Sequence, residues 1–201
     1  FSLCTLVATS VLQEWFRGTL SRRKSAGIST VFAFFQLINS NRPRYGGYIV
    51  HLAIVMLTFG IVASSFFDQE KDVILSVGEH AAIGKYEVQF MGTTSENFQD
   101  RTERTAVINV SKDGKNIDTI TAWQAEYPSF QMISTRAAIR STPVEDLYVL
   151  FSELHSDGET AAFRLMVNPL VWWMWWAGAV VILGTTIALW PSRERYSVHQ
   201  A

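Results

Sequence analysis

One cysteine in 201 residues, Cys4, excludes an intramolecular disulfide and any CxxC dithiol or zinc site. The chain also lacks an HExxH pair, a P-loop and a dinucleotide fingerprint, which removes the common zinc-hydrolase, nucleotide and nicotinamide readings. No internal repeat or low-complexity tract is present, and with 5 Pro and 12 Gly the composition is not that of a disordered chain. Charge is scarce and balanced, 17 basic against 18 acidic residues. Scattered acids without a basic face argue against nucleic-acid binding.

What is present is hydrophobicity, 48% of residues, gathered into uncharged runs. Crossing a bilayer takes roughly 20 residues of helix. Residues 48–67 form one such run, and residues 169–190 (PLVWWMWWAGAVVILGTTIALW) form a second with no ionisable side chain. A soluble core helix has no need to be apolar all round. The opening stretch FSLCTLVATSVL is about half a span and has no basic segment before it, so it reads as the end of a transmembrane helix, residues 1–12, with Cys4 as a small buried hydrophobe. ISTVFAFFQLI is apolar but too short to span and reads as an interfacial or partner-packed helix, ended where Pro43 is expected to break it.

Basic residues mark the sides of the membrane. Between Glu14 and Arg44 lie Arg17, Arg22, Arg23, Lys24, Arg42 and Arg44 against one acid, and the tail carries Arg193 and Arg195 against Glu194. Residues 68–168 hold sixteen acids against nine bases. The positive-inside rule then puts both Arg-rich segments in the cytoplasm and the middle outside. The expected organisation is a truncated transmembrane helix at 1–12, a cytoplasmic or interfacial amphipathic segment at 13–45, a transmembrane helix at 46–67, an extracytoplasmic β domain at 68–168, a transmembrane helix at 169–190 and a cytoplasmic tail at 191–201.

The middle segment reads as about seven short strands. Residues 73–77 and 85–91 are expected to pair as a hairpin around GEHAAIG, and VINVSKDGKNIDTI as another turning at Asp113 and Gly114. Residues 130–139, 146–154 and 160–167 supply three more, the last two joined at Ser156, Asp157 and Gly158. Short strands without helices imply an all-β sandwich or a small barrel, with both left open.

His51 is the one ionisable side chain inside either complete run. For a helix starting at Gly46 it lies five residues in, about 7 to 8 Å from the helix start. A polar side chain at that depth needs a partner, so two readings stand, a ligand to a cofactor or a neutral histidine bonded to a neighbouring helix. A neutral imidazole suits haem iron in an apolar pocket. Gly47, four residues earlier on the same face, leaves room beside the ring, and Thr58 shares that face. His80 in GEHAAIG, His155 before Ser156 and His199 in the tail read as exposed loop residues, and Trp172 to Trp176 as an interfacial belt.

The segments NRPRYGGYIVHLAIV, FFDQEKDVILSVGEHAAIGKYEVQF, IRSTPVEDLYVLF and MVNPLVWWMWWAGAVVILGTTIALWP, in this order, resemble the C-terminal third of CcmF, the haem lyase family of system I cytochrome c maturation. The resemblance implies a bacterial inner-membrane protein with its β domain in the periplasm. It implies that His51 is an axial ligand of a transmembrane haem b; a haem held that near the cytoplasmic edge is expected to turn its propionates toward the headgroups, within reach of Arg42 or Arg44. It further implies attachment of haem to the CxxCH thiols of apocytochrome c, with a periplasmic haem chaperone and thiol-handling apocytochrome subunits as partners and quinol as a source of electrons. The family's tryptophan-rich haem-binding segment and its outward-facing histidines lie earlier in the chain, so this stretch alone is not expected to be active, and its catalytic groups are expected upstream. The alternatives are a nitrite-reductase-specific paralogue, or a membrane-anchored β domain serving as an interaction module without haem.

Overall fold

A computed structural model describes residues 2–191, which divide into a helical unit, up to Ile61 and from Trp173, and a β unit between Val62 and Trp172. The tail expected in the cytoplasm therefore lies, past Pro191, outside the described residues.

The helical unit begins with α1 (Ser2–Ala26). The helix expected to stop at residue 12 runs unbroken for 25 residues, since Gln13 to Lys24 contains strong helix formers and no proline. It ends at Gly27, whose φ of 64° turns the chain left-handed while its N–H bonds the Arg23 carbonyl. The short apolar segment forms α2 (Thr30–Ser40), capped by the Ser29 hydroxyl, which accepts from the Phe32 N–H. Trp15 meets Phe34 edge-on at 5.4 Å, fastening α2 to α1. The next helix, α3 (Arg42–Phe66), starts four residues before the expected Gly46. The short helix ends at Ser40, within NSNRPR as expected, and Pro43 then sits in the first turn of α3, where its missing N–H has no partner to lose. The last helix is α4 (Val171–Leu189), and it and α3 are long and apolar enough to cross a membrane.

Nine strands build the β unit: β1 (Gln69–Ser76), β2 (His80–Ile83), β3 (Tyr86–Asn97), β4 (Thr102–Lys112), β5 (Lys115–Tyr127), β6 (Met132–Arg136), β7 (Ala138–Ser141), β8 (Glu145–Leu154) and β9 (Thr160–Pro169). They form two antiparallel sheets, β1-β9-β8-β7 and β2-β3-β4-β5-β6, so the open choice resolves to a sandwich. Alternate residues point inward, and the core gathers Tyr86, Val88, Phe90, Ile108, Val110, Leu147, Val149, Phe151, Phe163 and Leu165, all at most 2% exposed. Phe163 sits at its centre, 5.1 Å from Phe90 and 5.7 Å from Phe151.

Three strand expectations are corrected. The hairpin around GEHAAIG does not form. Instead β1 pairs with β9, while His80 to Ile83 become β2 and fold back on β3 at Gly84, whose φ is 56°. Residues 130–139 are not one strand but β6 and β7, which lie in different sheets. His80 is thus a strand residue opposite Gln89, with Nδ1 3.5 Å from Glu87, and not part of a loop. The Asp113–Gly114 turn is as expected, with φ of 52° and 73° linking the paired Lys112 and Lys115.

Candidate functional site

Along α3 the residues Arg44, Gly47, His51, Ile54 and Thr58 recur every three or four positions and share one face. His51 is exposed on it, and its Nδ1 lies 2.8 Å from the Gly47 carbonyl oxygen. A carbonyl only accepts, so this contact assigns the ring proton to Nδ1 and leaves the Nε2 lone pair available. A Cβ placed on Gly47 would meet nothing within 4 Å, so the space one turn before the imidazole is open. Thr58 bonds the Ile54 carbonyl at 2.8 Å, which commits its hydroxyl to its own helix.

The opposite face is closed. A Cβ on Gly46 would lie 2.6 Å from the Ala188 nitrogen and 2.7 Å from the Gly184 oxygen, so α3 and α4 touch backbone to backbone there. Two adjacent glycines thus serve opposite purposes, Gly46 to admit α4 and Gly47 to keep the His51 side clear.

Arg44 shares the His51 face about 10 Å away along the axis, from seven residues of rise. Its guanidinium is held by Glu14 of α1 at 2.5 Å and by the Tyr48 hydroxyl at 2.9 Å. Arg42 does not join them. It turns to the Asn39 side chain and to the Pro191 carbonyl, 3.2 Å away. The sequence reading missed Glu14 and Tyr48. Their signals were present, one acid among six bases and a tyrosine four residues after an arginine.

Among the described residues no three His, Cys, Asp or Glu side chains gather to hold a metal. His51 is therefore in no such group. His155 closes the β8–β9 turn through its backbone, bonding Thr160 and Gly158.

Residues 66–169 match the family model described as the CcmF C-terminal beta-sandwich. The chain belongs to the CcmF family. Among its relatives, the cytochrome c-type biogenesis protein CcmF of Haemophilus influenzae is 35% identical over 158 residues, covering 79% of this chain and 24% of the relative. CcmF of Pseudomonas aeruginosa is 32% identical over 198 residues, covering 96% of this chain and 29% of the relative. The cytochrome c-type biogenesis protein NrfE of Haemophilus influenzae is 25% identical, covering 76% of this chain and 24% of the relative. The solved structure of a Cytochrome c Heme Lyase CcmF shares the fold, with a TM-score of 0.65 at 24% identity over 92% of this chain and 34% of that one. The chain thus spans only about a quarter of the curated CcmF relatives, and it corresponds to their C-terminal portion.

Proposed function

We propose that this chain is the C-terminal part of a cytochrome c haem lyase, in which His51 supplies one axial ligand to a transmembrane haem b. The observation that carries the reading is the hydrogen bond from His51 Nδ1 to the Gly47 carbonyl, 2.8 Å, which presents Nε2 on an open face. A hydrogen bond from the ring nitrogen that does not bind metal orients a ligating imidazole and raises its basicity. The residues present fit the group, since the Gly47 void leaves room for a flat ring and Ile54 supplies an apolar wall, 51% exposed. When bound, the haem supplies one-electron chemistry, here the delivery of reducing electrons drawn from quinol. Arg44 would meet a propionate by exchanging its bond to Glu14, a role that Arg42, bonded to Asn39 and the Pro191 carbonyl, would not share.

The sandwich is read as a periplasmic surface for a haem chaperone, thiol-handling subunits and apocytochrome c, with residues 13–45 on the cytoplasmic side or at its membrane interface and the whole in a bacterial inner membrane. The distribution of bases, six between Glu14 and Arg44, supports that orientation. The CcmF reading is favoured over the nitrite-reductase paralogue because the CcmF relative is 35% identical and the NrfE relative 25%.

The test is the visible spectrum of the full-length protein. His51→Ala should abolish the low-spin b-type bands or convert them to high spin, cytochrome c assembly should fall with them, and added imidazole should restore both. An unaltered low-spin spectrum in His51→Ala would leave the residue as a packed histidine and overturn the reading.

A further inference from the structure

Between α1 and α2 runs a groove of about 340 Å³ whose lining includes Leu12, Trp15, Phe16 and Leu20 from the first helix and Val31 and Phe34 from the second. Its rim is bare, with Phe16 and Val31 each 68% exposed. On α1 the apolar stripe recurs at Leu12, Phe16 and Leu20, and the next turn of the same stripe carries Arg23 and Lys24. These two and Arg17 are exposed and have no ion-pair partner among the described residues. Arg22 bonds only the neutral Gln36 and Ser40 side chains, and the one acid of the helix, Glu14, is taken by Arg44. The hairpin therefore has an apolar trough ending in uncompensated positive charge.

We infer that this hairpin binds an anionic phospholipid, with an acyl chain along the Leu12–Phe16–Leu20 stripe and the phosphate at Arg23 and Lys24. The dimensions suit one leaflet. Leu12 to Lys24 spans twelve residues of rise, about 18 Å, against roughly 15 Å for half of a 30 Å hydrocarbon core. Charge decides the class of lipid, because a zwitterionic headgroup would leave the cations unneutralised. A protein segment filling the groove would need an apolar ridge with a carboxylate at one end, and no described segment of this chain supplies one to it. The inference goes beyond the haem-ligand reading and stands without it.

Each cation beside an anionic headgroup is worth roughly fivefold in affinity, so removing two predicts a drop on the order of 25-fold. The experiment uses the full-length protein in detergent, titrated with dioleoylphosphatidylglycerol or dioleoylphosphatidylcholine and read by native mass spectrometry. A phosphatidylglycerol bearing a photoreactive acyl chain maps the contact. Preferential retention of phosphatidylglycerol, cross-links within residues 12–34 and their loss in the Arg23→Gln/Lys24→Gln variant are expected. Leu20→Glu, which places a like charge in the trough, should lose the same lipid. Equal retention of the two lipids, cross-links elsewhere, or unchanged retention in the double variant would overturn the inference. So would a protein cross-linked through the groove in place of the lipid.

Discussion

The His51 Nδ1 lies 2.8 Å from the carbonyl oxygen of Gly47, so the residue that clears space for the imidazole also fixes its tautomer. The two roles separate on substitution, because the carbonyl survives any change of side chain. Gly47→Leu should fold as well as the parent or better, since leucine is favoured over glycine in a helix by about 0.8 kcal/mol. The added side chain would nevertheless stand one turn from the ring, and haem retention in the full-length protein should fall. Thermal unfolding and the pyridine haemochrome assay, made on the same sample, check this. Full haem content in Gly47→Leu would mean that the open space is not used.

Its neighbour behaves oppositely. Gly46→Ala would drive a methyl group to 2.6 Å from the Ala188 nitrogen, a backbone atom that cannot rotate away. A methyl on Gly184 would meet the Ile49 and Val50 methyl groups at 2.9 Å, which can shift, and the Gly46 carbonyl at 3.0 Å. Overpacking of this kind costs about 1 to 3 kcal/mol, with Gly46→Ala toward the upper end and Gly184→Ala below it. Unfolding of the detergent-solubilised protein in graded dodecyl sulfate measures both. Equal stability of Gly46→Ala and the parent would show that the helices part without cost.

How much of this was legible in the sequence follows the range of each interaction. His51 stood out because one ionisable residue in an apolar run is conspicuous, and Gly47 because four residues make one helical turn. Gly46 could not be told from Gly47 in this way, since what separates them is the position of Ala188, 142 residues on. The β4–β5 turn was legible because Asp113 and Gly114 accept positive φ. The partner of β1 was not, because Gln69 faces Val167 across nearly the whole domain and no local pattern encodes that choice. The β6–β7 break was hidden for a related reason: both pieces are strand-like, and only packing assigns them to different sheets.

The sandwich centre makes a plain stability prediction. Phe163 is 2% exposed and contacts aromatic rings from both sheets, Phe90 on one side and Phe151 on the other. Phe163→Ala should cost about 3 to 5 kcal/mol. Denaturant unfolding of the β domain followed by tryptophan fluorescence would register it. A loss under 1 kcal/mol would show that the core refills the space.

The β8–β9 turn carries a pH dependence. The Thr160 hydroxyl and backbone N–H, followed by the Glu159 N–H, hold the Asp157 carboxyl below the usual carboxylate range. A depressed folded-state pKa stabilises the protein at every pH above the unfolded value, about 3.9, and that contribution disappears as pH falls through the lower folded value. Asp157→Asn should therefore melt below the parent at pH 6, and the two should converge in strong acid. A gap between the two melting temperatures that persists unchanged down to pH 2 would assign the effect to lost geometry and not to charge.

The orientation of the membrane segments is testable by labelling. Lys24 lies at the basic end of α1 and Asp113 at a turn of the sandwich, and both are exposed. If the bases face the cytoplasm, one membrane span, α3, separates the two positions, and single cysteines placed there must be reached from opposite sides. Cys4 is partly buried and is replaced by serine first, so that each variant carries one thiol. In intact spheroplasts a membrane-impermeant maleimide should label Asp113→Cys at once and Lys24→Cys only after lysis. Labelling of both before lysis would remove α3 as a span. Labelling of Lys24→Cys alone would invert the topology and place the sandwich with the cytoplasm, where a partner surface for periplasmic haem attachment has no function.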